Sequence, residues 1–409
     1  MRRASSRHWR SLLTGVILAL AMVTGSIGSA AAAPCLSLRT SVSAGTFLVI
    51  GSIAVGQSPI GIAYDPVNNL LYVTNSGSNN VSVIDASTNQ VVGSIAVATT
   101  PWDAAVDTVH GCLYVSEAGS NNVSVVSLSS DRVVKSLPTG YDPLGVAFDE
   151  ANGQVFVANS GNSNVTVINT TTQSVVGSFI MNAPVDLAVD ATHGKLFVTA
   201  AETNFTGVAA VAVVDPSTDQ ISGWVPSRAN AGIAFDSANG MVYAAGYLGL
   251  ASGPYGLVDV FDGASDQVRA SVNVGASPWG IAANPFTNYL YVANSLSDNV
   301  TVINGGSNTV AGWIPVGVMP YDVAFDSTSG NLYVTDKGSN NVTVIAGSIP
   351  TSSGSGSGSS STGGSLPPWL LGVIVILAVL VATVVAYLAV RRRSRDLSGT
   401  RPLSPPPRH

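Results

Sequence analysis

Charge is what this 409-residue chain has least of: Asp, Glu, Lys and Arg make up 10% of it, against about 25% in an average soluble protein. The deficit is uneven. Between residues 34 and 366 there are seven Lys and Arg against twenty-two Asp and Glu, a net of −15, and the other ten basic residues lie at the two ends. So acidic a region repels phosphate backbones and gains nothing from counterion release, which argues against nucleic acid as a partner. Histidine is scarce too: His8 and His409 fall outside that region, and His110 and His193 sit before Gly111 and Gly194 at one turn position of a repeated unit. Haem and zinc centres, which need His or Cys ligands, are disfavoured. HExxH, GxSxG and P-loop patterns are missing. Cysteine is limited to Cys35 and Cys112, a candidate disulfide if both lie outside the cell.

Repetition fills the space these absences leave. Leu71-Tyr72-Val73-Thr74-Asn75 returns six more times with small changes, its aromatic ring at 72, 114, 156, 197, 243, 291 and 333. A period near 40 with several short β segments per unit is that of a propeller blade. In the first unit, Gly61–Tyr64, Leu70–Thr74, Val81–Ile84 and Val91–Val97 read as strands A to D, separated by Asn-, Asp-, Ser- and Gly-rich turns. The seventh unit stops after its third strand, Asn341–Ile345, while an orphan segment, Phe47–Val55, matches Asn89–Val97. The expected fold is all-β: a seven-bladed propeller of four-stranded blades over residues 34–347, closed by the N-terminal strand. An open solenoid would leave a sheet edge exposed.

Both ends carry addresses. Residues 1–33 have a basic start, an apolar run from Leu12 to Val23 and small residues up to Ala33, the three parts of a secretory signal peptide. Residues 348–368 are Gly- and Ser-rich, a flexible tether. Trp369 to Val390 is 22 residues without a charge, the length of a membrane-spanning helix. The tail 391–409 begins Arg391-Arg392-Arg393, which places it in the cytoplasm and the propeller outside. In that topology the D–A and B–C turns share one face, here the upper face, and the chain leaves from the other. The upper face is thereby expected to point away from the membrane. It also carries two enlarged B–C loops, 201–209 and 247–256.

The D–A turns line the mouth of the central channel. They supply Trp102, Trp279 and Tyr321, an aromatic platform for a sugar or peptide, and Asp103, Asp186 and Asp322, oxygen ligands for a cation such as Ca²⁺. The plainer reading gives the aromatics to packing between blades and the carboxylates to turn capping. Seven Asn-X-Ser/Thr sequons occur, at Asn80, Asn122, Asn164, Asn169, Asn204, Asn299 and Asn341. Each is a glycosylation candidate if the host modifies proteins outside the membrane.

The Tyr-Val-Thr-Asn cores, with Ser-Asn-Asn-Val-Ser-Val-Ile-Asp after them and Pro-x-Gly-Ile-Ala ahead, resemble the YVTN family of β-propeller repeats over residues 47 to about 347. The resemblance implies a secreted or surface-layer propeller. Its wider relatives include binding proteins, lactonase-like enzymes and electron-transfer domains, and the last need His-rich ligand sets that this chain lacks. Two functions follow as expectations. One is a membrane-anchored, non-catalytic surface protein that binds a glycan or protein partner. The other is a tethered lyase or lactonase using carboxylates, and a divalent cation, at the channel mouth.

Overall fold

The computed structural model describes residues 47–200, 210–247 and 256–347. Among them, twenty-eight strands form seven four-stranded antiparallel sheets. In blade one, strands A to D are Pro59–Asp65, Leu70–Asn75, Asn80–Asp85 and Gln90–Ala96. Blade seven is completed from both ends of the propeller, as its missing fourth strand foretold. Its strands Pro320–Phe325, Leu332–Asp336 and Asn341–Ala346 are joined by Leu48–Ala54, paired from Leu48 opposite Ala346 to Ala54 opposite Asn341 with one bulge between Val49 and Gly51.

Burial peaks in the middle of each blade, strand A by the axis being less completely covered than strand B. Strands B and C are almost wholly buried, whereas in the D strand of blade one Ile95 alone is. The core is divided among the seven seams between neighbouring blades. At the closing seam, Tyr333, Val342 and Val344 of blade seven pack against Ile62, Leu71 and Ile84 of blade one. The strand-B aromatics that mark the repeat, among them Tyr72, Tyr114, Phe156 and Phe197, are fully buried, each contributing on the order of 3 kcal/mol.

The abundance of Asn has a backbone cause. In blade one the A–B, B–C and C–D turns end on Asn69, Asn79 and Asn89, each with φ of 55°, a left-handed conformation that Asn tolerates. Asn79 also binds the next blade, its Oδ1 accepting from the Thr100 amide at 2.9 Å. Asn340 does the same for Ser58 across the closing seam, at 2.8 Å. These bonds hold the B–C and D–A turns together on the upper face. His110 and His193 have the turn role expected of them. Each Nδ1 lies 2.8 and 2.7 Å, respectively, from Oδ2 of Asp107 and Asp190, where Asn68 and Asn152 donate to Asp65 and Asp149 in other blades.

The expected leader (1–33), tether (348–368), membrane helix (369–390), tail (391–409), Cys35, Asn204 and nearly all of the two enlarged loops lie outside the described residues. Among the described residues no helix is long and apolar enough to cross a membrane. Cys112 is buried, its Sγ 3.5 Å from Gln173 Nε2.

Candidate functional site at the channel mouth

The site begins with a bulge. In six blades the A–B pairing jumps from a proline to the residue three places on, as from Pro59 to Ile62 in blade one. The two residues between are released from the ladder, and all of them but Leu144 line the channel. Blade five has Asn230 in place of the proline, and its strand A starts only at Ile233. All six residues singled out in the sequence, Trp102, Asp103, Asp186, Trp279, Tyr321 and Asp322, line one cavity at this mouth.

The aromatics are spent largely on one another. The Trp279 and Tyr321 rings stack with centroids 4.6 Å apart and planes at 22°. Trp102 meets Tyr321 edge-on at 5.6 Å. Lys337, from the B–C turn of blade seven, holds its ammonium 5.1 Å from the Tyr321 ring and 5.8 Å from Trp102, a cation–π arrangement. Burial lowers its pKa. The space left at the mouth is about 50 Å³, room for a few waters.

Each carboxylate ties two blades. Asp103 of blade two takes the Ala104 amide on Oδ1 at 2.7 Å and the Val146 amide of blade three on Oδ2 at 2.9 Å. Asp186 does the same with Leu187 and, in blade five, Ile233. Asp322 does so with Val323 and, in blade one, Ile62, at 2.8 and 3.1 Å. Turn capping was therefore half of the role; the second oxygen is an inter-blade clip.

The Thr of the repeat adds a second clip. Thr74 Oγ1 donates to the Trp102 carbonyl at 2.7 Å, Thr199 to Ala231 at 2.6 Å and Thr335 to Ile60 at 2.6 Å; Ser116 donates likewise to Leu144. In the three Asp-bearing blades the same hydroxyl also takes the aspartate's own amide, as Thr335 does from Asp322 at 2.9 Å. Where the repeat has Ala158, Ala245 or Ala293, the channel position is Gly145, Gly232 or Gly280.

Why Asp alternates with Gly is a matter of room. A Cβ on Gly61 would stand 2.7 Å from Asp103 Oδ1, and one on Gly145 2.7 Å from Asp186 Oδ1; one on Gly280 would collide with Asp322 Oδ1. Each carboxylate thus needs a glycine in the blade before it. Seven is odd, so strict alternation cannot close, and two glycines, Gly232 and Gly280, fall side by side. There the backbone itself fills the gap, since a Cβ on Gly232 would strike the Trp279 carbonyl.

Three carboxyls in a small, walled space resist ionisation. Burial is the chief cause at each, outweighing two amide bonds that favour the charged form. It pushes Asp322 up to about 7 and Asp186 up to about 6. Asp103 is raised well above the ordinary carboxylate value by burial and then by the fields of Asp322 and Asp186. Among the described residues no Lys, Arg or His forms an ion pair with any of the three. No group of three or more His, Cys, Asp or Glu side chains arranged to hold a metal occurs there either.

Sequence reasoning passed over Lys337 and two buried acids. Glu117 and Asp336 end strand B where other blades have Asn75, Asn159 and Asn294, and all five are fully buried. Asp336 takes the Thr343 hydroxyl at 2.6 Å, and burial pushes it up to about 6. The signal was available, as an acid standing in an Asn column of the repeat. The sequons divide. Asn80 and Asn122 spend their Nδ2 on strand-D serines, Ser94 at 2.7 Å and Ser136 at 2.6 Å, and Asn341 uses Ser52. Asn169 caps a turn through Oδ1. Asn164 and Asn299 accept from Asn159 and Asn294.

With the geometry in place, the chain defines itself as a seven-bladed β-propeller repeat protein. A family profile described as NHL repeat matches residues 141–168, which span strands A to C of blade three. Among solved structures, one chain of Kuenenia stuttgartiensis hydrazine synthase is similar at a TM-score of 0.64 and 20% identity, over 71% of this chain and 96% of that one. At that identity the likeness concerns the fold. No curated protein matches the sequence.

Proposed function

We propose that the chain is a non-catalytic binding or adhesion protein of the cell envelope, of the YVTN repeat kind. In this reading the propeller stands outside and the helix 369–390 anchors it. The observation that carries the reading is the plugged mouth: the aromatics close on each other, the carboxylates are tied to backbone amides, and about 50 Å³ remains. The lining holds no serine, cysteine or histidine to act as nucleophile or base. The leader-like start and the uncharged 22-residue run support the placement. The test is protease added to intact cells making the full chain with one tag inserted just ahead of Phe47, after the leader, and one at the C-terminus. The reading expects the propeller to be cut and the C-terminal tag protected; a propeller resistant until lysis overturns it.

One observation favours a tethered enzyme instead. Carboxyls that titrate near neutrality inside a cavity are what general acid–base chemistry uses. Hydrazine synthase, on a similar fold, is by its name an enzyme. That reading needs a divalent cation such as Ca²⁺ to draw Asp103, Asp186 and Asp322 together, because among the described residues no three acids are arranged to hold a metal. It expects calcium to raise the melting temperature of the full chain, and Asp322→Asn to abolish the rise.

A further inference from the structure

A second cavity opens on the upper face at the seam of blades five and six, and nothing in the channel-mouth reading uses it. Its volume is about 430 Å³, and its lining includes Asn273, Gly275, Ser297, Asn299 and Trp313. It has the size of a small-molecule site and no charged residue in its lining. Trp313 is 65% exposed, in a chain with six tryptophans.

The repeat shows what that tryptophan replaces. At the same place in strand D, blades one, two and seven have Ser94, Ser136 and Ser52, and each serine holds the side-chain amide of the first Asn in strand C. In blade six the residue is Trp313, opposite Thr301, and Asn299 is left without its serine. The Asn299 Oδ1 accepts from Asn294 Nδ2 at 2.9 Å, which leaves the NH₂ group for the cavity. Ser297 Oγ accepts from the Ala276 amide, so its hydroxyl proton is free to donate.

We propose that this cavity binds a neutral pyranose ring, with one C–H face against the Trp313 indole and hydroxyls on Asn273, Ser297 and Asn299. The negative face of an indole attracts polarised C–H groups, and amides and hydroxyls pair with sugar hydroxyls without charge. A phosphate or carboxylate ligand would find no cation in the lining, and a purely apolar one would leave the amides unpaired. This gives the binding role proposed above its ligand class, and it rests on that reading.

The test uses the full chain made in a host that does not N-glycosylate, because Asn299 also lies in a sequon. Saturation-transfer NMR is run with the methyl glycosides of glucose, galactose, mannose and N-acetylglucosamine. At least one should receive saturation on the protons of a single ring face. Trp313→Ser, which installs the serine of the other blades and should leave the fold intact, is expected to weaken that binding roughly tenfold or more. Trp224→Ala, at the equivalent position of blade four, should leave it unchanged. No transfer to any of the four, or equal transfer in Trp313→Ser, overturns the groove assignment. Neither result touches the protease experiment, so failure here and failure of the envelope reading are told apart.

Discussion

The seam between blades seven and one and the seam between five and six are made from one repeat and are held differently. At the first, Asp322 takes the Ile62 amide and Thr335 donates to the Ile60 carbonyl. Tyr333 donates to Asn89 at 2.8 Å, and Tyr64 pairs with Thr328 at 2.7 Å. At the second, the Asp and Thr positions are Gly232 and Ala245; the join is a buried cluster around Tyr243, Val258 and Val292, with polar contacts from Asn239 to Asn288 at 2.7 Å and from the Tyr243 hydroxyl to Asn308 at 3.4 Å. The difference follows the Asp–Gly alternation and not connectivity, since the consecutive seams two–three and four–five carry the same Asp clip. Blades five and six are consecutive in sequence, whereas the partners at the closing seam lie some 240 to 280 residues apart. Where the ends of the ring must find each other, polar clips fix the register. At the seam of blades five and six, where neither clip exists, apolar packing carries more of the join.

Removing a member of the closing seam should have the largest effect. Tyr333→Ala deletes a fully buried ring and its bond to Asn89, and should lower unfolding stability by about 3–5 kcal/mol in urea titration. Filling a glycine that makes room for a clip comes next. Gly145→Asp would press a second carboxyl against Asp186 and should cost about 1–3 kcal/mol or more. The tightly packed Gly232 should also resist substitution, whereas Gly111→Ala, with open space but a φ of 63°, should lose only about 1 kcal/mol of backbone preference.

Acidity offers a gentler probe. The folded values of Asp186 and Asp322, about 6 and about 7, lie above the ordinary carboxylate value. The protonated form is therefore favoured in the folded state. Its stabilisation is fully present below the unfolded value, near 4, and is lost as pH rises through 6 and 7. Asp262 acts the other way. Arg269 holds it down to about 2, so its smaller, largely exposed contribution disappears only below about pH 4. Melting temperature should thus rise as pH falls from about 7.5 to about 5. Asp336→Asn, which installs the residue of three other blades, should raise stability at pH 7.5 by about 1 kcal/mol in the same titration. The smallest effect is expected at the outer groove, where Trp313→Ser should stay within about 0.5 kcal/mol.

Much of this was legible because each blade restates the others. The spacing of the aromatics foretold seven sheets, and the orphan strand 47–55 foretold the closure. The run of residues after each proline named the channel lining. What strings of letters could not convey is which neighbour a side chain meets. Asp103 was readable as a turn cap, but its bond to Val146 needs blade three beside blade two. The Asp–Gly alternation was present in the letters, yet its cause, a glycine clearing space for a carboxylate across a seam, exists only in the closed ring. Lys337 drew no notice in the sequence, and only the fold sets its ammonium over two rings. Trp313 stands where sister blades have serine, but the cavity beside it appears only once blades five and six are side by side.

Three channel carboxyls clip the ring and, being buried, hold their protons more tightly than ordinary carboxyls. Differential scanning calorimetry of the full chain between pH 5 and pH 7.5, beside the triple variant Asp103→Asn, Asp186→Asn, Asp322→Asn, tests this most directly. The native chain should melt several degrees higher at pH 5 than at pH 7.5, and the triple variant should lose most of that difference. A native chain that melts lower at pH 5, or a triple variant with the full slope, would contradict the account.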